Sequence, residues 1–144
     1  MVSRRHTIKN RRNLGFKEEI VQKFLVLLNT VKLFHWKTTS FAAHKASDEL
    51  YSSLNGNIDK FVEVLLGKLN GERVQLASVH QMPLIDFPNQ NFSFIKSEIE
   101  KYKRYLVDLD NNSFLKKMAN PDLYTIRDEI LGSLNQFLYL LTFE

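Results

Sequence analysis

Residues 35–63, HWKTTSFAAHKASDELYSSLNGNIDKFVE, carry two histidines and four acids, of which Asp48, Asp59 and Glu63 stand at spacings that suit, with the histidines, a nitrogen and oxygen donor set for a metal ion such as iron. His44 and Asp48 are four residues apart, Asp59 lies eleven beyond Asp48, and Glu63 lies four beyond Asp59. On a helix turning about 100° per residue, His44, Asp48, Asp59 and Glu63 share a sector of about 100°. Asp48 and Asp59 would nevertheless stand about 16 Å apart along the axis, against metal–ligand bonds of about 2 Å, so a single ion cannot take both from one chain. Two copies of the helix packed antiparallel about a two-fold axis would bring the His44/Asp48 end of one to the Asp59/Glu63 end of the other. The spacing therefore predicts identical sites shared between subunits.

Each residue also has a simpler explanation. Asp48, Asp59 and Glu63 could each be a solvated helix charge. His35, at the end of an apolar stripe, could be a hydrogen-bonded packing residue. Trp36 is the only tryptophan, and core is the usual place for one. Gly56 sits inside the same helix, where glycine costs about 1 kcal/mol against alanine; a close partner helix or a tolerated weak spot would account for it. The joint phase of the acids, next to the His35-Trp36 pair, favours a site over four independent coincidences.

The HW pair followed by H-x3-D-x10-D-x3-E resembles the motif of the Dps proteins, ferritin-like mini-ferritins that oxidise ferrous iron at sites shared by two-fold-related subunits. The detailed match covers about thirty residues. Here His35 and His44 are nine apart where the family usually has twelve, so the first interhelical connection is three residues shorter. The resemblance implies a ferroxidase whose iron ligands are His35, His44 and Asp48 from one chain and Asp59 and Glu63 from its neighbour, with Trp36 beside the site. It also implies oxidation of Fe(II) by peroxide or oxygen, and iron storage or detoxification in a hollow homododecamer. The HKASDELY segment and the basic N-terminus are similar to Dps-like proteins of large DNA viruses. The alternative is accordingly a non-enzymatic structural protein, such as a minor capsid or virion component.

The rest of the chain supplies the frame for these residues. Its 144 residues, 44% of them hydrophobic, suffice for one domain with a sizeable core. No cysteine is present, which excludes disulfides, thiolate metal sites and cysteine nucleophiles. GxGxxG, Walker, HExxH and GxSxG patterns are missing, and five glycines offer little for phosphate-cradling loops. With neither an apolar leader nor a membrane-length apolar run, a cytoplasmic or virion location is expected rather than secretion. Charge is uneven: Arg4, Arg5, Lys9, Arg11 and Arg12 fall in the first thirteen residues without an acid, leaving 15 basic against 16 acidic side chains in the remainder. Residues 1–13 are thus expected to form a flexible basic tail able to contact DNA phosphates, and residues 14–144 a bundle domain.

Periodicity within that domain is helical. Phe24, Leu28, Val31 and His35, flanked by Val21 and Leu25, predict a first helix from about Phe16 to the HW pair. Ser40 suits the N-cap of a second helix that carries Leu50, Leu54, Ile58, Val62 and Leu65 and ends near Gly71. A helix-poor stretch of about twenty residues follows, containing Pro83, Pro88 and His80, longer than an antiparallel turn needs. Ile95, Ile99, Tyr102, Leu106 and Leu109 predict a third helix. Asn120-Pro121-Asp122 reads as an N-cap, first-turn proline and first-turn acid opening a fourth, with Ile126, Ile130, Leu134, Phe137 and Leu141 inward. The expected fold is all-α, a ferritin-like four-helix bundle with a long crossover between helices 2 and 3. Ferritin-type sites use Glu-x-x-His within one chain, and that motif is absent here, which favours the intersubunit arrangement.

Overall fold

The computed structural model describes residues 15–87 and 92–143. Among them the protein is all-α, a bundle-like arrangement of four helices: α1 (Phe16–Lys37), α2 (Phe41–Lys68), α3 (Ser93–Asp108) and α4 (Pro121–Leu140), with short 3-10 turns at Leu109–Asn111 and Leu115–Lys117. The predicted basic tail lies outside the described residues.

The core of α1 is the ridge Ile20, Phe24, Leu27, Val31 and Phe34, each buried, because three- and four-residue steps keep one face inward. This corrects the sequence expectation in detail. Leu25 is exposed and Leu27 takes the inner position beside Phe24. The Phe24 and Phe61 rings meet edge to face with centroids 5.3 Å apart and join α1 to the C-terminal half of α2. Near the C-terminal end of α1, Phe34 contacts Phe87, Phe92 and Phe137, gathering the connection, the residue before α3 and the end of α4 around one ring.

Local chemistry sets the helix ends. The Ser40 hydroxyl accepts the Ala43 N–H at 3.2 Å, the expected cap of α2. At the other end Asn70 and Gly71 adopt φ of 61° and 79°, and the Gly71 N–H reaches the Leu66 carbonyl at 2.9 Å, closing a Schellman turn. The Lys68 ammonium then donates to Ala119 O and Asp122 Oδ1, pinning the end of α2 to the start of α4. Pro121 and Asp122 occupy the first turn of α4 as anticipated, but Asn120 does not cap with its side chain. Its amide is buried and donates to Leu115 O at 2.6 Å, drawn inward by the preceding 3-10 turn. Arg127, also buried, bridges α3 and α4 through Leu106 O and Asp110.

These contacts fix directions. α2 runs back along α1, α4 runs back along α2, and α3 begins beside the end of α1 that holds Phe34. In the connection after α2, Glu72 pairs with Lys17 and the Gln75 N–H meets Glu18, whereas Asp86 pairs with Lys37 and Phe87 packs on Phe34. Residues 72–87 thus start at one end of α1 and finish at the other. His80 is exposed along the way, in keeping with its place outside the spaced motif.

The cap allows a direct check. Ser40→Ala is expected to cost about 1 kcal/mol and lower the melting temperature by about 2–4 °C, while Ser40→Asp retains most of the stability. Thermal unfolding followed by circular dichroism measures both, and equal losses for the two variants would show that the hydroxyl does not act as a cap.

Candidate metal centre

The candidate residues sit where α1 hands the chain to α2. The turn between the helices is three residues long and tied down at both sides: the Thr38 N–H donates to Phe34 O at 2.9 Å, and the Ser40 N–H donates to Thr38 Oγ1 at 3.2 Å. His35 lies in the last turn of α1 and His44 near the start of α2. Their imidazoles stack with centroids 3.9 Å apart and planes 16° from parallel.

The stack is locked reciprocally. His35 Nδ1 donates to the His44 carbonyl at 2.9 Å, and His44 Nδ1 donates to the His35 carbonyl at 2.9 Å. A carbonyl oxygen only accepts, so each Nδ1 must carry a proton; in the neutral rings each Nε2 then keeps a free lone pair. Metal-ligating histidines are commonly held in this way, with the second ring nitrogen bonded to a carbonyl. Ser47, wholly buried, donates to the His44 carbonyl at 3.0 Å and lies 3.1 Å from His35 Nδ1, completing the support.

Ser47 was not anticipated. Its signal was weak but present: a small hydroxyl three residues after His44, on the face of α2 that Ala43, Ala46 and Leu50 otherwise make apolar.

Asp48, Asp59 and Glu63 are exposed along α2, and among the described residues none of the three has an ion-pair partner. The structure brings the two histidines together and leaves the acids spread along the helix. Among the described residues no three histidine or acidic side chains converge within one chain.

Trp36 departs from the core position expected of a lone tryptophan. It is 68% exposed, because Phe34 takes the inward position at the end of α1 and Trp36 falls about 200° around the helix from it. The Lys32 ammonium stands 5.7 Å from the Trp36 ring centroid and 4.2 Å from that of Tyr51. On the same edge, Lys37 bonds Asp86 and holds its carboxyl below the ordinary value. At Gly56 an added Cβ would meet nothing within 4 Å, so packing within the chain does not demand glycine there.

Fold and site together define an all-helical bundle protein with a preorganised histidine pair next to an unpaired acidic helix face. The chain belongs to a family of unknown function (DUF5856), whose model matches residues 35–141, from His35 through the end of α4. No curated protein and no solved structure matches the chain.

Proposed function

We propose that the protein is a Dps-like ferroxidase of ferritin-like fold, oxidising Fe(II) with peroxide or oxygen at sites shared between two copies of the chain. The observation that carries this is the reciprocal histidine lock, which commits each Nδ1–H to a carbonyl and leaves Nε2 as the ring nitrogen that could bind a metal, at one end of the acidic face of α2. His35, His44 and Asp48 of one copy receive the ferrous substrate together with Asp59 and Glu63 of the other, and Trp36 lies at the margin. The imidazoles suit Fe(II), while the carboxylates stabilise the more highly charged Fe(III) product. With peroxide as oxidant, two Fe(II) ions give one electron each, the O–O bond breaks, and two protons complete two waters. The course of residues 72–87 from one end of α1 to the other supports a ferritin-like crossover.

A hollow homododecamer of 16.9 kDa chains has a mass of roughly 200 kDa and would store the oxidised iron. Arg4, Arg5, Lys9, Arg11 and Arg12 supply a DNA contact with a salt slope of at most about −4.5 per tail.

Anaerobic titration of the purified assembly with Fe(II), followed by addition of peroxide, tests the function. Uptake of Fe(II) at about two sites per dimer, followed by rapid growth of ferric absorbance, is expected. An intact assembly that takes up no iron would overturn it, as would a protein that stays monomeric at micromolar concentration.

A further inference from the structure

The stretch DELYSSLN at residues 48–55 of α2 returns as DEILGSLN at residues 128–135 of α4, with five of the eight positions identical and the same burial at every position. The helices run antiparallel, and the two stretches cross at the Ser53 and Ser133 hydroxyls, bonded at 2.7 Å. That bond marks a local two-fold axis, which places Ala46 and Leu140 on one side of it and their counterparts Ile126 and Lys60 on the other.

The two sides are not alike. Beside the small Ala46 the helices leave a cleft of about 30 Å³, floored by Leu50, Phe137 and Leu140 and rimmed by Glu49, Ser53, Ser133 and Gln136. On the other side the larger Ile126 replaces Ala46, and Lys60 in place of Leu140 gives that half a cation of its own. At Glu49 the corresponding position is apolar. Lys45, one turn away, stands 5.7 Å from the Phe41 ring centroid, and Glu49 makes no ion pair among the described residues. Space of this size holds a terminal ammonium group or about two waters, and excludes a nucleotide or a flavin.

We propose that this cleft between α2 and α4 binds the primary ammonium end of a free linear aliphatic amine, with Glu49 as its counter-ion. Such a group has three N–H donors and no acceptor, and the rim offers it a carboxylate, a serine hydroxyl and the Gln136 amide oxygen. The methylenes behind the ammonium lie along the Phe137 and Leu140 side chains. A divalent metal ion fits less well, because hard cations call for more oxygen ligands than one carboxylate and an apolar floor supply. The site is separate from the iron reading, since Glu49 lies about 100° around α2 from Asp48.

Titration of the full chain with n-butylamine, followed by calorimetry and by the NMR shift of the Gln136 side-chain amide, tests the proposal. Saturable binding of one amine per chain is expected. Glu49→Gln should weaken it by at least about tenfold, since it removes a charge-assisted hydrogen bond. Glu129→Gln, the counterpart carboxylate about 12 Å away along the helices, should change it less than about twofold at physiological salt. Ala46→Leu should close the cleft and abolish binding, with circular dichroism confirming the fold; the exposed Glu49 keeps the test open if that variant does not fold. N,N,N-trimethylbutylammonium, with the same charge and no N–H donor, should bind at least about tenfold more weakly.

Equal binding of the trimethylated cation would overturn the proposal, as would Glu129→Gln matching Glu49→Gln, or no saturation by n-butylamine up to about 100 mM. A clear preference for Nα-acetyllysine amide over n-butylamine would also overturn it and assign the cleft to a lysine of a partner protein.

Discussion

A chain carrying His44→Ala/Asp48→Ala and a chain carrying Asp59→Ala/Glu63→Ala are each expected to be inactive in Fe(II) oxidation, and a mixture of the two is expected to recover about a quarter of wild-type activity. In either homodimer every shared site lacks two of its five donors. When the two chains are unfolded together and reassembled at random, about half the dimers are mixed, and each mixed dimer holds one complete site and one left with only His35. His44, Asp48, Asp59 and Glu63 are all exposed, so the substitutions leave the core intact and loss of activity does not report unfolding. Stopped-flow ferric absorbance before and after mixing is the measurement. Recovery near a quarter requires donors from two chains. No recovery, with mass spectrometry proving that subunits have exchanged, would remove the shared site and leave a structural role for the bundle.

Phe61→Ala is expected to be the most damaging single truncation for stability. Phe61 is fully buried in the C-terminal half of α2, and its edge-to-face contact with Phe24 links α1 to α2. Removing the ring loses its transfer free energy and leaves a cavity between two helices that cannot collapse without shifting, together about 3–5 kcal/mol. A domain of this kind holds about 5–15 kcal/mol in all, so the variant should unfold at a much lower urea concentration or fail to accumulate as folded protein. Chemical denaturation with the circular dichroism of the helices as the signal measures it. A shift below about 1 kcal/mol would mean that the helices repack freely around the gap.

The same aromatic residue type has opposite fates a few turns apart, and that contrast marks the limit of what can be read from sequence. Phe61 and Phe41 are both phenylalanines on α2, one buried on the core side and the other standing in solvent. The expected stripe of α2 takes Val62 with Leu54, Ile58 and Leu65, whereas the fold buries its neighbour Phe61 completely and leaves Val62 half-buried, since both lie at the margin of the same helical spacing. Phe41, one residue after the Ser40 cap, lies outside that stripe and stays 73% exposed, with the Lys45 ammonium 5.7 Å from its ring centroid.

Helix ends were legible because capping is a short-range interaction. Ser40, Asn70-Gly71 and Pro121-Asp122 act within a turn of where they stand, through hydrogen bonds and backbone angles that few other residue types supply. The inward phase of most core residues was legible for a related reason, since 3.6 residues per turn is a property of the helix alone. So was the common face of His44, Asp48, Asp59 and Glu63.

What lay beyond sequence was whatever depends on how one helix sits against the next. Asn120 has the residue type of a cap, yet its amide turns to Leu115 O because the chain folds back on itself there. Leu25 and Leu27 are chemically identical, and only the placement of α2 decides which is buried. Trp36 lost its expected core position to Phe34 by the same competition for space. The histidine pair shows the limit most clearly. The residue types and their separation were visible, but the stack with its two exchanged Nδ1–H bonds exists only because a three-residue turn sets the end of α1 against the start of α2. Sequence by itself determined the helices and the common face of His44, Asp48, Asp59 and Glu63, since both follow from local geometry. Only the tertiary structure decided which nitrogen of each ring is left free, because that follows from a carbonyl nine residues away along the chain and a hydrogen bond's length away in space.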